Sequence, residues 1–268
     1  MSLVDGKNSP VPGLAICYTC FNSMGTIERS LRSALNLSGR IVAVDSGSTD
    51  GTKELCRELG VEVVHRDWTN PTEQKSFGMS LCADSPWILL LDSDETIQDD
   101  LAESIRNAIV NAGPDDSGFS MNRMTWLHGK PLRHTFQPEW RLRLVRSEFA
   151  NVIGDKVGGH DRLLVRSGQL HRLRGTLRHD SWVNGVDMLK RGVRYGARAA
   201  GHAESGGRPI NLLVNPAAGF LKQLILRRGF LDGWRGWVAA GGVASQALAK
   251  HIAIMERRAR EREDSRSS

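Results

Sequence analysis

Trp87-Ile88-Leu89-Leu90-Leu91-Asp92-Ser93-Asp94-Glu95 is the most informative stretch of this 268-residue chain. Its apolar run, Trp87 to Leu91, reads as a fully buried strand. The strand delivers two carboxylates at its exit, Asp92 and Asp94, which are two residues apart and so point the same way in extended chain. Paired hard oxygens at the end of a buried strand suit a magnesium or manganese ion that also holds a diphosphate. A solvated acidic turn is the competing reading of Asp-x-Asp, and the apolar strand before it favours the ligand.

Working outward, residues 13–111 alternate strand and helix. Leu14–Thr19 reads as a short apolar strand, and Ile27, Leu31, Ala34 and Leu35 then recur at helical spacing until Gly39. Ile41–Asp45 is a second strand, followed by the turn Ser46-Gly47-Ser48-Thr49-Asp50-Gly51 and a helix stopped by Gly60. Val61–His65 is a third strand, Thr72–Cys82 a helix and Trp87–Asp92 the fourth strand, while Leu101, Ile105, Ala108 and Ile109 mark another helix. Strands separated by helices predict an α/β domain with a mostly parallel central sheet and helices on both faces. In such sheets ligands bind beyond the carboxyl ends of the strands. Those ends carry the polar clusters Thr19–Asn22, Asp45–Ser48, His65–Trp68 and Asp92–Glu95.

After Gly113-Pro114-Asp115-Asp116 the pattern changes. Phe119–Trp126 and Trp140–Arg146 read as strands, the second with Trp140, Leu142 and Leu144 on one face and Arg141 and Arg143 on the other. Those two guanidinium groups fit either anion binding or a solvated face. Beyond Trp182 the chain reads as helical, with Gly-rich breaks and a charged tail from Glu256. The expected organisation is a domain over 1–182, divided into halves 13–111 and 112–182, and a helical C-terminal extension over 183–268.

The net charge of +6 hides an asymmetry: residues 1–100 hold 8 Lys+Arg against 15 Asp+Glu, and the remainder 28 against 15. A basic second half favours an anionic partner, either a membrane surface or nucleic acid. Cys17, Cys20, Cys56 and Cys82 are too few for a disulfide framework in a chain this long. Cys17-x-x-Cys20 has a redox spacing but begins inside a buried strand, which favours core packing. Met1–Gly13 lacks the pattern of a signal peptide, and no uncharged apolar run approaches the ~20 residues that cross a bilayer. A cytoplasmic protein is expected.

Asp45 at a strand end can accept hydrogen bonds from a base N–H or a ribose hydroxyl, with Ser48 or Thr49 capping the next helix. A capped turn without ligand is the other reading. No G-x-G-x-x-G follows the first strand and no Walker-type loop is present, which argues against a dinucleotide oxidoreductase or a P-loop phosphotransferase.

Taken together, Thr19-Cys20-Phe21-Asn22, Val44-Asp45-Ser46-Gly47-Ser48-Thr49-Asp50, Gln74-Lys75 and Leu91-Asp92-Ser93-Asp94-Glu95 resemble, in order and spacing, the successive motifs of family-2 inverting glycosyltransferases. Trp140–Arg146, Gly159-His160-Asp161, His179 and Gly229-Phe230-Leu231-Asp232-Gly233 resemble the subgroup containing the lipopolysaccharide core β-glucosyltransferases. The resemblance implies a GT-A-type nucleotide-binding domain and a nucleoside-diphosphate sugar donor, often a UDP-sugar. It places Thr19 and Asp45 in the uracil and ribose pocket, with Asn22, Ser46, Gln74, Lys75 and Ser93 also in donor-binding motifs. It sets Asp92 near the ribose or the metal, and makes Asp94 the ligand of a divalent metal, magnesium or manganese, bridging the diphosphate. The chain departs from the pattern at Ser23, Ser76 and Asp161; the last keeps a carboxylate where Glu is usual.

An inverting transfer needs a base for the acceptor hydroxyl and positive charge on the departing diphosphate. Asp161 is the expected base, with Glu139 and Asp155 in reserve and His160 as an orienting or acceptor-binding group. Arg141, Arg143 and Lys75 are expected on phosphates of donor or acceptor. From Gly185 to Met255 the chain holds 10 Lys+Arg and 3 Asp+Glu interleaved with Phe220, Leu221, Leu224, Ile225, Phe230, Leu231, Trp234 and Trp237. That composition fits an interfacial helix or a core-packing helix with a basic face. The expected function is metal-assisted transfer of a sugar, glucose by the resemblance, from a UDP-sugar to lipopolysaccharide core or another lipid-linked saccharide. The expected site of action is the anionic cytoplasmic face of the inner membrane. The competing readings are a nucleotidyltransferase, which needs a basic Gly-rich loop where Thr19–Gly25 stands, and a nucleic-acid-binding protein, for which no signature is present.

Overall fold

The computed structural model of the chain describes residues 9–154, 161–201, 203 and 206–267. Two compact units are formed, one from Met1–Arg123 with Glu139–His179 and the other from Met124–Pro138 with Asp180–Ser268.

The first unit is built on β1 (Leu14–Cys20), β2 (Arg40–Asp45), β3 (Glu62–His65) and β4 (Trp87–Asp92), interleaved with α1 (Ile27–Leu35), α2 (Thr52–Glu58) and α3 (Pro71–Leu81). β5 (Glu95–Ile97), α4 (Asp99–Val110), β6 (Asp116–Leu127), β8 (Trp140–Arg146), the hairpin strands β9 (Ala150–Gly154) and β10 (Asp161–Val165), and β11 (Gln169–His179) follow; β7 (Lys130–Pro131) pairs with the far end of β6. Among the described residues the sheet order is β3-β2-β1-β4-β8-β6-β11-β5. β3, β2, β1 and β4 are parallel, as the alternation of strand and helix predicts. Beyond β4 the sheet turns antiparallel: β8 runs against both β4 and β6, and β11 runs against β5.

Side chains of β1 alternate between two cores. Ile16, Tyr18 and Cys20 pack with Ile27 and Leu31 of α1 and Leu101 and Ile105 of α4. Ala15 and Cys17 pack with Met79 of α3 and with Leu163 of β10. A Cβ at Gly78 would collide with the Cys17 sulfur and crowd Val44, so α3 lies against β1 only because residue 78 is glycine. All four cysteines are free and buried. Cys17 sits against Cys82 and Cys20 against Cys56, one pair in each core.

The second unit holds α5 (Gly185–Ala200), α6 (Asn211–Leu221) and α7 (Trp234–Ser267), the last two joined by a π-helical turn, Lys222–Leu226, and a 3-10 turn, Gly229–Asp232. The expectation of a helical segment after Trp182 holds, and the tail from Glu256 continues α7. Gly192 and Gly196 of α5 let α7 approach its backbone closely, at Gly242 O and Gln246 O. Trp234–Ser265 is long and apolar enough to cross a membrane by length and composition alone, a feature hidden from a search for uncharged runs because Lys250 interrupts it.

Residues 124–138 fall within the expected 112–182 half but group with the helices. The reason is Asp232. Its carboxylate, 3% exposed, accepts the backbone N–H groups of Arg133 (2.9 Å), His134 (3.2 Å) and Thr135 (2.8 Å), the Thr135 hydroxyl (2.9 Å) and His134 Nδ1 (3.0 Å). Arg227 donates to Gln137 O, and Arg235 Nε to Leu127 O at 3.0 Å. Burial works against ionisation of Asp232, but these donors outweigh it and hold the carboxyl below its usual range. Asp232→Asn keeps the shape yet turns one acceptor oxygen into a donor facing backbone N–H groups. A loss of about 2–3 kcal/mol is expected, read as a lower midpoint in urea; an unchanged midpoint would show that the clamp is dispensable.

Candidate active site

The carboxyl ends of the parallel strands finish level. Thr19 pairs with Asp92, Cys20 with Asp45 and Asp45 with His65. One sheet edge therefore gathers Thr19, Asn22, Asp45, Ser46, Asp92, Ser93 and Asp94, and α3 adds Gln74 and Lys75.

Much of this edge is tied to itself. Asp45 is fully buried, and its carboxylate accepts Gly47 N–H (2.9 Å), Ser48 N–H (2.8 Å) and the Ser48 hydroxyl. Gly47 makes that tight turn possible with φ of 95°. Asn22 Oδ1 accepts Thr49 N–H at 2.9 Å, and Asn22 N–H donates to Ser48 Oγ at 2.8 Å. Ser23 and Ser93 hydroxyls meet at 2.8 Å. Gln74 Nε2 donates to Ser46 Oγ, Arg66 O and Asp67 O. Asn22 thus ties the loop after β1 to the loop after β2, while Asp45 holds the turn of its own loop. Ser48 does not cap α2; Gly51 stands at that cap, and Asp50 accepts Thr52 N–H and its hydroxyl.

A buried ionic network lies next to the edge. Lys75 Nζ is 2.6 Å from Asp92 Oδ1, and Arg143 Nη2 is 2.7 Å from Asp92 Oδ2. The same Arg143 nitrogen reaches Glu95 Oε1 at 2.5 Å. Glu95 is fully buried; its other oxygen accepts Asp92 N–H at 3.1 Å. Arg123 reaches Glu95 at 3.4 Å and grips Glu139 at 2.6 Å, and Arg141 holds the same Glu139 oxygen at 2.6 Å. Burial resists ionisation of Asp92, but Lys75 and Arg143 prevail and drive its carboxyl far below the usual range. Glu139 follows the same logic, with Arg123 and Arg141 bringing it down to about 2.

The network gives three of the expected site residues carboxylate or cation partners within the protein. Both oxygens of Asp92 are held by cations, and Arg143 and Arg141 are paired with carboxylates. Glu139, held between two guanidinium groups, is a weak base.

Asp94 differs from its neighbours. Burial, then Asp92 and Glu95, push its carboxyl up to about 7, with Arg123 pulling weakly the other way. Its ion-pair neighbour among the described residues is His179 Nε2 at 3.6 Å. Burial, aided by Arg123, lowers that imidazole to about 3, so it is neutral and brings no positive charge. Among the described residues Asp94 therefore has no lysine or arginine at ion-pair distance. No group of three or more His, Cys, Asp or Glu suited to a metal exists among the described residues. A magnesium-type ion bound through one carboxylate, phosphate oxygens and water needs no such group, and Asp94 fits it.

Arg123 is the part of the site that no sequence pattern marks, while Glu95 and His179 belong to the quoted motifs without an expected role. β5, three residues directly after an acidic turn, carries no alternation to betray it, yet its pairing sets His179 opposite Glu95. Of the residues expected around the acceptor, His160 and Asp155 lie outside the described residues. Asp161 opens β10, with its backbone opposite Gly154, and its side chain lies outside them too.

Comparison with known proteins gives the family. The model of glycosyl transferase family 2 matches residues 15–157. A lipopolysaccharide core biosynthesis glycosyltransferase, LpsC, of Rhizobium meliloti is 27% identical over 260 residues, covering 89% of this chain and 93% of that protein. An uncharacterized glycosyltransferase of Rickettsia prowazekii is 25% identical over 230 residues, 81% of this chain and 78% of its own. Among solved structures, the mannosyltransferase PcManGT of Pyrobaculum calidifontis, in complex with GDP-Man and Mn2+, aligns with a TM-score of 0.52 and 14% identity over 92% of this chain and 88% of that one, a likeness of fold. The GT-A-type architecture, the motifs at the sheet edge and the family match agree: this chain belongs to glycosyl transferase family 2 and is a glycosyltransferase that uses a nucleotide sugar.

Proposed function

We propose that the chain transfers a sugar, glucose by its resemblance to the core β-glucosyltransferases, from a UDP-sugar to lipopolysaccharide core or a similar lipid-linked saccharide, with inversion. The observation that carries this reading is Asp94, a carboxylate at the donor edge that has no lysine or arginine partner among the described residues, while Asp92 and Glu95 on either side of it each have one. Asp94 and neutral His179 would hold a divalent ion there, magnesium or manganese. Such an ion supplies positive charge to a diphosphate leaving group. LpsC, similar over nearly its whole length, supports the choice of acceptor. The family match leaves the nucleotidyltransferase and nucleic-acid readings without ground.

In this reading Thr19, Ser46 and Ser93 line the donor, Lys75 and Arg143 fix the Asp92 carboxylate beside it, and Asn22, Asp45 and Gln74 hold the loops in shape. Asp161 takes the proton from the acceptor hydroxyl as the anomeric bond forms. The enzyme works at the anionic cytoplasmic face of the membrane that carries its acceptor.

A thermal-shift screen of UDP, GDP and their sugars, with and without manganese, tests the donor. Manganese-dependent stabilisation by a UDP-sugar is expected, because ligand bound only to the folded state raises apparent stability. Stabilisation by guanosine compounds alone would overturn the choice of UDP. Asp161→Asn is expected to lower turnover by about 100-fold or more, the range of a lost general base, with UDP affinity unchanged. Full activity in that variant would pass the role to Asp155.

A further inference from the structure

α6 satisfies neither of the ordinary descriptions of a helix in a water-soluble unit. None of its eleven residues is fully buried, so it is not a core helix. None is charged either, so it is not a solvated one: Asn211–Leu221 reads NLLVNPAAGFL. Leu213 stands 71% exposed and Leu221 54%. The π-helical turn that follows buries Leu224 and turns Ile225 and Leu226 outward, the latter 79% exposed. At the start of α7, Trp237 meets Phe220 edge-on at 6.0 Å between ring centres and is still 55% exposed. A continuous stretch of chain thus presents large apolar side chains to solvent without the polar cover that a free surface carries.

Charge identifies what covers it. Arg227 and Arg235 are occupied by the carbonyls of Gln137 and Leu127, but Lys222 and Arg228 are exposed. Apolar side chains and a Trp bordered by cations are the composition of a surface that rests in a bilayer's headgroup region, with the cations meeting anionic lipid. A second copy of the chain fits less well, because a twofold contact through this face would bring Lys222 and Arg228 of both copies together.

We propose that α6 and the turns up to Trp237 form an insertion face for anionic bilayers, which seats the enzyme on the membrane holding its acceptor. The inference rests on the lipid-linked acceptor for its purpose, while the binding itself can be measured apart from transfer. Co-sedimentation of the full chain with vesicles of phosphatidylcholine alone, or with a third phosphatidylglycerol, is the test. Binding to the mixed vesicles is expected, weakened at least tenfold by half-molar salt and at least tenfold by Leu213→Glu with Leu226→Glu. Both positions are so exposed that the fold and the manganese-dependent UDP shift should not change. Equal binding to neutral vesicles, no binding to either, or a dimer that the double variant dissolves would each overturn the insertion face. None of those results touches the donor site, whose failure would show instead as a missing UDP shift.

Discussion

Asp94→Asn is expected to reduce sugar transfer by on the order of 1,000-fold or more, since it removes the group placed to hold the charge that stabilises the departing diphosphate. The variant should fold as well as the parent. Asp94 is crowded by Asp92 and Glu95 and has a neutral imidazole for a neighbour. A neutral amide of the same shape relieves that repulsion, so thermal stability without ligand should hold or rise. What should vanish is the extra stabilisation that UDP gives in manganese. Loss of function with equal or higher stability is the signature of a residue kept for chemistry at a cost in stability. Turnover like the parent's would remove the metal from this site, and a collapse in stability would make Asp94 structural.

Arg143→Met carries the largest expected effect on the fold. Arg143 is 6% exposed and is shared by Asp92 and Glu95. A methionine fills the space but leaves Glu95 with one long contact to Arg123 and no near cation. Removing one partner of a buried ionic pair costs about 3–5 kcal/mol. Arg141→Met, by contrast, removes the more exposed of two cations on Glu139, and a change within about 1 kcal/mol is expected. Urea unfolding of the two variants side by side decides the matter: equal midpoints would mean that the network contributes little. Acid offers a second view. Glu139 is depressed to about 2, so the stability it supplies is complete above the ordinary glutamate range and disappears only as pH falls toward 2.

The parallel half of the sheet was legible because its strands are buried on both faces and read as apolar runs between amphipathic helices. The cluster at the strand ends followed from topology, which puts every strand's exit on one edge. Less legible was the division of labour within the cluster. Asp45, Asp92 and Asp94 are the same residue type at similar strand ends, and what separates them is their neighbours. Asp45 has the turn's own N–H groups, Asp92 has Lys75 from α3 and Arg143 from β8, and Asp94 has neither. Lys75 and Arg143 lie 17 and 51 residues from Asp92 in the chain, beyond the reach of any local pattern. The antiparallel half was harder for the same reason: β5 is a strand only because β11 lies beside it.

The Asp232 clamp on residues 133–135, directly after the β6–β7 hairpin, also has a consequence in time. Thr135 and the Asp232 carboxylate that holds it are 97 residues apart in the chain. At about 5–20 residues per second of synthesis, the hairpin leaves the ribosome roughly 5–20 s before its anchor does. During that wait Leu127 and Leu132, fully covered in the finished protein, have no helices to cover them. A nascent chain stalled after residue 182 would leave them uncovered, because the helices that follow Trp182 are not yet made.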